Sequence, residues 1–449
     1  MMMPLMTSAA FGCGGFFCTP AITPIDQAAE EIVFAYDAEQ EQVEMHIEVT
    51  YAGASDDFAW VLPVPEEPEL FLSSAALFSQ LAILTAPTFT LEPETLGNCA
   101  SPVRIGCAQE VNLAAVRESQ DYTDVTVVGE AQIGPYDTVT LQAADSEALL
   151  TWLGDNDYDL PADIGPLLDV YIADRSYFVA MRLSTGMDTG DIEPIALRYA
   201  ASGLAIPIQL TAIAASEDMP LRVYIFGDHR AVPESYLSAE INEAAIDWLG
   251  QGANYYDVIE AAANEADGHA FVTEMASKTE GMSEGTVEAL GALLKDYPYL
   301  TRMTAVLSPE EMTVDPTFTF NSQLPDVAKD RVATLVRDCS GRKKAEKAPT
   351  WIELSDGRIV ELGLDIDQGA RNTERFVSDL QGVSAMSISD LTVGKGEVIA
   401  DFAVDATATL EAHNRGFRQG GCGCASAPIP SSILVLAGLV FFLRRRRAS

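Results

Sequence analysis

The stretch Val43-Glu-Met-His-Ile-Glu-Val-Thr-Tyr51 alternates apolar and polar residues with a period of two. This period is typical of a β-strand that buries one face and exposes the other. An apolar stretch at residues 32–36 precedes it, and the polar residues 37–42 between the two stretches predict a hairpin. His46 falls on the polar side of the pattern, so we expect it to be a surface histidine.

Strand and helix patterns continue outward from this hairpin. Further strands are predicted at residues 58–64, 125–128, 138–141, 176–183, 195–199, 206–213, 221–226, 351–360 and 388–404. Helices are predicted at residues 70–84, 146–153, 240–249, 255–266, 286–295 and 371–380. The mixture predicts an α+β fold with β-sandwich-like sheets and flanking helices, plus a C-terminal transmembrane or sorting helix.

Composition shifts divide the chain into segments. We expect a signal-peptide remnant at residues 1–12, an N-terminal β-rich domain at 13–145 and an α+β domain at 146–336. A basic, turn-prone linker follows at 337–350, then a small α+β module at 351–412. Residues 413–428 are predicted to form a stalk with a cysteine motif, and residues 429–449 a hydrophobic anchor with an arginine cluster.

Charge narrows the classes of partner. The chain carries 67 Asp and Glu residues against 27 Lys and Arg residues, which gives a net charge of −40. Such a body repels nucleic acid phosphates, so no nucleic acid partner is expected. The hydrophobic fraction of 48% is large enough for a sizeable core, which is typical of a globular chain.

Both ends of the chain carry features of an exported protein. Residues 1–12 are apolar and end in small residues, but they lack a basic start, so they predict the remnant of a longer signal peptide. Near the other end, the apolar run 431–443 leads directly into Arg444, Arg445, Arg446 and Arg447. Clustered arginines stay cytoplasmic and leave the preceding chain outside. The run is shorter than the roughly 20 residues of an ordinary spanning helix, so a sorting tail whose hydrophobic part is removed is also compatible.

The last 30 or so residues resemble the Myxo-type C-terminal sorting signal of myxobacteria and their relatives. Cys422 or Cys424, the apolar residues 433–443 and the arginine cluster carry the resemblance, in this order. It implies a membrane sorting protease as a partner, loss of the helix, and display through a modified cysteine. The expected location is the cell envelope or cell surface, with the tail as the membrane contact.

The other cysteines suggest an oxidising compartment. Cys99 and Cys107 close a short loop and are predicted to form a disulfide. Cys13 and Cys18 lie close together, and either of them could instead pair with Cys339, which leaves one cysteine free. A zinc site at Cys13 and Cys18 is the alternative, but the sequence has no further ligands at a suitable spacing.

Motifs for chemistry are sparse. The sequence contains no GxSxG elbow, no phosphate-binding loop, no dinucleotide fingerprint and no complete calcium loop, so we predict no catalytic residue, metal or cofactor. This favours a non-catalytic binding or structural envelope protein, whose protein or polymer ligand the sequence does not identify. The alternative is a secreted hydrolase that uses acidic residues with His229 or His269.

Four stretches of the body also resemble a known family. They are Cys13-Gly-Gly-Phe-Phe-Cys18, Asp57-Phe-Ala-Trp-Val-Leu-Pro-Val-Pro65, Met219-Pro-Leu-Arg-Val-Tyr-Ile-Phe-Gly-Asp228, and Tyr299-Leu-Thr-Arg-Met-Thr304 followed by residues 310–316. They are similar to the bacterial "domain of unknown function 2330" family over about residues 13–320. The resemblance implies export and a common architecture, and it supplies no activity, substrate or catalytic residue.

Overall fold

The computed structural model describes residues 16–17, 26–52, 59–98, 130–156, 158, 164–184, 192–340, 348–362, 383–388 and 406–418. Its strands are β1 (Phe16–Phe17), β2 (Asp26–Asp37), β3 (Gln42–Ala52), β4 (Ala59–Val64), β5 (Glu69–Leu72), β6 (Thr88–Leu96), β7 (Glu130–Ile133), β8 (Tyr136–Leu141), β9 (Tyr177–Leu183), β10 (Ile195–Ala200), β11 (Leu204–Ala205), β12 (Met219–Gly227), β13 (Arg230–Pro233), β14 (Leu237–Ile241), β15 (Ala270–Lys278), β16 (Tyr299–Leu307), β17 (Thr317–Asn321), β18 (Asp330–Asp338), β19 (Thr350–Glu353), β20 (Ile359–Leu362) and β21 (Met386–Ile388). Its helices are α1 (Ala75–Thr85), α2 (Ser146–Asp155), α3 (Gly165–Ala173), α4 (Ile208–Thr211), α5 (Tyr255–Asn264), α6 (Glu288–Asp296) and α7 (Ala406–Arg418), with short 3-10 helices at Glu243–Ala245 and Pro309–Glu311.

The predicted hairpin lies inside a nine-stranded sheet. The strand order is β21-β14-β15-β16-β12-β2-β3-β10-β5. Strands β2 and β3 pair antiparallel with Ile32 opposite Ile47, and β12 runs parallel to β2 on its other side. Since β2 has partners on both sides, its apolar residues face either one layer or the other and never the sheet edge.

A second sheet packs on one face of the first. It has the order β1-β4-β9-β8-β7. The shared core contains alternate residues from both sheets, namely Ile32, Phe34, Met45 and Ile47 from the large sheet and Trp60, Leu62, Val179 and Met181 from the second. A three-stranded sheet, β11-β17-β13, adds Phe318 to this core. Interleaving of alternate side chains from two sheets is the packing of a β-sandwich.

Helices cover the outer faces of both sheets. Helices α1 and α6 pack on the large sheet and share a buried cluster with Val33 and Tyr224. Their residues in this cluster include Leu77, Phe78, Leu81, Leu290 and Leu294. Helices α2 and α3 pack on the outside of the second sheet through Leu149, Leu153 and Leu168. The body is therefore layered as helices, sheet, sheet, helices, and the α+β class with multiple sheets is confirmed.

The predicted boundary between residues 145 and 146 does not coincide with a break in the large sheet. Strands β2, β3 and β5 come from before this boundary, and the strands from β10 onward come from after it. The predicted small module also joins the body. Its β21 extends the large sheet, and its Ile352, Val360 and Leu410 share a core with Trp248 and α5.

Three predicted elements are wrong. Residues 206–213 contain the short helix α4 instead of a strand, because the buried Ile208 and Leu210 pack from a turn that begins after Pro207. Residues 240–249 are not a helix, because β14 pairs with β15 and a 3-10 turn follows it. The predicted helix at 70–84 begins five residues later, since residues 69–72 form β5 beside β10.

The start of the predicted stalk is also corrected. Residues 413–418 belong to α7, and the side chain of Asn414 bonds the backbone of Glu361 and Ile359 in β20. The rest of the stalk, the hydrophobic anchor and the arginine cluster lie outside the described residues. Within the described ranges, every helix is too short or too polar to cross a bilayer.

A buried ion pair joins β15 and β16. Arg302 donates through Nε to Glu274 at 2.8 Å, and their side chains are 2% and 0% exposed. Tyr255 and Thr304 also donate to Glu274, both at 2.6 Å. Burial by itself raises the pKa of Glu274, but the charge of Arg302 and these hydrogen bonds bring it below its ordinary value. The carboxylate is therefore ionised and fully partnered.

We expect Arg302→Met to lower the free energy of unfolding by about 3–5 kcal/mol, because Glu274 would keep its charge without a cation. The exposed pair of Arg415 and Glu411 supplies the control, and Arg415→Met should change stability by less than about 1 kcal/mol. Urea unfolding followed by circular dichroism measures both. Equal midpoints for Arg302→Met and Arg415→Met would show that the buried pair has no special role.

Candidate functional site

The two histidines proposed as catalytic are not assembled with an acid into a hydrogen-bonded group within the described residues. His229 is exposed, and His269 is half-buried. The Nδ1 atom of His269 lies 2.7 Å from the carbonyl oxygen of Asp267, and its ring lies against Tyr236 with centroids 5.3 Å apart. These contacts orient His269 as part of a turn. Among the described residues, no carboxylate is hydrogen-bonded to either ring.

His46 was expected to be a surface histidine, but it is buried, with 6% of its surface exposed. Its Nδ1 lies 2.8 Å from Oγ of Ser73, and its Nε2 lies 2.9 Å from Oε1 of Glu44. Arg198 bonds the other oxygen of Glu44 at 2.7 Å and stacks over Phe71. We call Ser73, His46, Glu44 and Arg198 the Ser73 cluster.

Strand register assembles this cluster. Arg198 of β10 lies opposite Glu44 of β3, and Ala196 lies opposite both His46 of β3 and Phe71 of β5. The small side chain of Ala196 lets the rings of His46 and Phe71 meet above it, with centroids 6.0 Å apart. Residues of neighbouring strands that share a face contact each other directly, so three strands place this polar group on the sheet face that carries α1.

A recess lies on the other face, between the two sheets. It is small, with a volume of about 10 Å³, which is room for roughly one water molecule. Its lining is mainly apolar and comes from β4, the segment around α4, and β2: Trp60, Val61, Leu62, Pro63, Ile206, Pro207, Leu210, Thr211 and Glu30. We call it the Glu30 recess, since Glu30 is its one acidic residue.

Strand β2 has a bulge just before Glu30. The pairing of β2 with β3 shifts register between Gln27 and Ala29. The backbone of Gln27 instead bonds Ala214 and Ser216, in the segment that follows α4. Its side chain donates to Oε2 of Glu30 at 2.9 Å. The bulge therefore ties β2 to the wall of the recess and supplies the hydrogen bond that Glu30 receives.

Glu30 is 4% exposed and lies in a mainly apolar setting. Burial raises its pKa from 4.5 to about 7, and the hydrogen bond from Gln27 opposes part of this rise. Among the described residues, Oε1 of Glu30 has no protein donor. A buried acid with a perturbed pKa in a concave site is typical of binding or catalytic sites.

Glu48 is a second acid that titrates near neutral pH. Burial and the charge of Glu31 raise its pKa to about 7. Glu48 lies opposite Glu31 on the helix-covered face of the sheet, where Arg222 bonds Glu31 at 2.6 Å. It therefore lies away from the Glu30 recess.

The cysteine predictions are mostly outside the described residues. This holds for Cys13, Cys18, Cys99, Cys107, Cys422 and Cys424. Cys339 is described, buried and disulfide-bonded to a cysteine outside those ranges. Its backbone N–H bonds the carbonyl of Leu96 at 2.8 Å.

Metal binding has no candidate in the described ranges, where no three acidic, histidine or cysteine side chains group as ligands. The sequence did contain a signal for Glu30. Counting back by two from Phe34 and Ile32 reaches position 30, where the pattern requires an apolar residue and has an acid. No comparable signal marks Ser73, because its partners come from strands distant in sequence.

Comparison with known proteins gives one family. The model of a family described as "uncharacterized protein conserved in bacteria (DUF2330)" matches residues 7–319. Among curated proteins, no sequence matches this chain. A solved structure, the crystal structure of the caspase-8/p35 complex, is similar over 45% of this chain and 64% of its own, with 9% identity and a TM-score of 0.25. The chain thus spans under two thirds of that structure.

We expect Glu30→Gln to change how stability depends on pH. An acid whose pKa is raised by folding stabilises the protein below its unfolded pKa, and this stability is lost as pH rises through the folded value. Between pH 4.5 and pH 8 the loss from Glu30 should be about 3 kcal/mol, from a rise of 4.5 to about 7. Thermal or urea unfolding across this window should show the loss reduced by that amount in Glu30→Gln.

The matched control is Glu39→Gln, in the exposed turn between β2 and β3. It should keep the pH profile of the wild type, which also includes the contribution of Glu48. Parallel profiles for wild type and Glu30→Gln would mean that Glu30 is solvated and that the recess does not bury its charge.

Proposed function

The chain belongs to the family of uncharacterized proteins conserved in bacteria (DUF2330), and from this premise we propose that it is an exported envelope protein that binds a partner. In this proposal the C-terminal tail holds it at the membrane or displays it on the cell surface. The body acts as a binding or structural module, and the Glu30 recess is its contact site. The role at this recess is binding and not catalysis.

The Glu30 recess is the observation that carries the binding role. It combines apolar walls with Oε1 of Glu30, an oxygen that has no protein donor among the described residues. A partner group that covers the recess and excludes water would donate a hydrogen bond to this oxygen, since burial of an unpaired polar atom is unfavourable. At about 10 Å³ the recess is far smaller than the site of a drug-sized ligand and has room for roughly one water molecule. It therefore accommodates only a single small donor group, such as an amino or hydroxyl group on the surface of a protein or polymer partner.

Export is supported by the chemistry of Cys339 and by the surface charge. Structural disulfides persist in oxidising compartments and are rare in the bacterial cytosol, and Cys339 is buried and disulfide-bonded. A net charge of −40 favours solubility and repels other polyanions. The tail from Cys422 onward adds the predicted sorting signal and the predicted membrane protease partner.

The alternative function, a secreted hydrolase that uses acids with His229 or His269, has less support. In the described part of the chain, neither ring bonds a carboxylate, and neither borders the Glu30 recess. A general base has to lie within hydrogen-bond reach of the group that it activates. These two residues are therefore not part of the proposed function.

Localisation tests the export half of the proposal. Deletion of residues 422–449, in a chain preceded by a complete signal peptide, should move the protein from the membrane fraction to the medium or periplasm. Neutral residues at Arg444, Arg445, Arg446 and Arg447 should weaken retention, because charged guanidiniums cost about 2.5–3.5 kcal/mol each at the bilayer centre. Retention of the truncated chain after a high-salt wash would identify another anchor.

Blocking the recess tests the binding half. Thr211→Trp places an indole where the wall is half-buried, and it should abolish in-cell crosslinking to the partner that the wild type captures. Glu39→Trp, in the exposed hairpin turn, adds the same side chain elsewhere and should leave that crosslink unchanged. Mass spectrometry of the crosslinked species measures both. An identical crosslink in Thr211→Trp would remove the recess from the proposed function.

A further inference from the structure

We propose that the Ser73 cluster is a second functional site, in which Ser73 is the nucleophile that accepts acyl groups from uncharged carboxylic esters. This goes beyond the proposed binding role and does not depend on it. The two sites lie on opposite faces of the large sheet. Glu30 shares the face of Ile32, whereas His46 lies opposite Val33, whose side chain packs under the helices.

The hydrogen bonds of the cluster form a continuous chain. The Oγ atom of Ser73 lies 2.8 Å from Nδ1 of His46, and Nε2 of the same ring lies 2.9 Å from Glu44. A hydroxyl, an imidazole and a carboxylate in this order are the parts of an activated serine nucleophile. Here the serine bonds Nδ1 and the acid bonds Nε2, and either ring nitrogen can act as the base.

Glu44 sets the tautomer of His46. The hydrogen bond with His46, together with Arg198, lowers the pKa of Glu44 to about 2, although burial opposes the shift. The carboxylate is therefore an acceptor at neutral pH, and Nε2 of the neutral ring carries the proton that it accepts. This leaves the lone pair of Nδ1 for the hydroxyl proton of Ser73. Glu44 and Arg198 are positioning residues in this arrangement.

Ser73 stands between the end of β5 and the start of α1. Its own N–H bonds the carbonyl of Pro194 at 2.9 Å, which fixes the backbone. The next two residues, Ser74 and Ala75, are exposed, and among the described residues their N–H groups have no protein acceptor. N–H groups at the first turn of a helix stabilise negative charge. In this proposal the N–H groups of Ser74 and Ala75 are the donors that would face a developing oxyanion.

The reaction that we assign to this cluster is ester hydrolysis through an acyl-serine, and it needs only water as a co-reactant. The Oγ atom of Ser73 attacks the ester carbonyl carbon as its proton passes to Nδ1 of His46. Collapse of the tetrahedral intermediate breaks the bond to the alcohol oxygen, which takes the proton from His46. Water then adds to the acyl-serine by the same route and releases the carboxylic acid.

The negative charge of the chain favours uncharged esters over anionic ones as substrates. A net charge of −40 repels anionic substrates, and two acids, Glu44 within the cluster and Glu69 of β5, both bond Arg198. The exposed Leu72 and the half-buried Phe71 border the serine in sequence. An uncharged ester with a short apolar acyl group fits this setting.

The test is covalent labelling of the full chain with an alkyl fluorophosphonate probe, followed by peptide mass mapping. The wild type should carry one adduct on Ser73, and Ser73→Ala should carry none. His46→Gln should slow labelling roughly 100-fold or more, the usual contribution of a general base. Glu44→Gln should slow it roughly tenfold or more and move its pH midpoint downward, because a neutral amide stabilises the protonated ring less.

Ser79→Ala, on the exposed side of α1, is the matched control and should label like the wild type. Melting curves identify variants that fail to fold. If Ser73→Ala is one of them, Ser73→Cys replaces it and should alkylate with iodoacetamide at least about tenfold faster than Ser79→Cys. Wild-type protein that is folded and unlabelled at Ser73 would overturn the proposal. Equal alkylation of the two cysteine variants, or labelling that persists in Ser73→Ala, would also overturn it.

Discussion

Strand β2 is covered on both faces, and this constraint organises the rest of the structure. Its partners β3 and β12 close both of its edges, a second sheet covers one face, and α1 and α6 cover the other. The side chains in the middle of β2, from Glu30 to Ala35, therefore point into interior layers. Two adjacent acids, Glu30 and Glu31, consequently point in opposite directions, and each has to find a partner in a different layer.

The two acids are satisfied in different ways. Glu31 meets Arg222 at 2.6 Å and Tyr224 at 3.2 Å, so its layer supplies both a cation and a hydroxyl. Glu30 meets the amide of Gln27 and apolar walls, so its layer supplies no positive charge among the described residues. A lone carboxyl in an apolar layer favours its protonated form. The difference between the two layers is what makes Glu30 a candidate for binding and Glu31 a structural residue.

Local patterns predicted the fold better than they predicted the sites. The hairpin around Val43 and the helices near Ser146, Tyr255 and Glu288 follow from alternation, caps and apolar spacing, which are local. Residues 206–213 and 240–249 were misread because pairing and packing with distant strands overrode short apolar patterns. His46 was predicted to be exposed for the same reason. The period-two pattern identifies its face correctly, but the return of β5 and α1 buries that face.

Three arginines of the body are used internally. Arg230, Arg302 and Arg331 are buried, and each bonds an acid, namely Glu240, Glu274 and Glu243. Each of these pairs is neutral, so the net charge of −40 is carried by the other ionised groups of the chain. The net charge disfavours phosphate-bearing and other anionic partners. Both candidate sites are consistent with this field, because a hydrogen-bond donor at Glu30 and an uncharged ester at Ser73 approach an acidic surface without electrostatic repulsion.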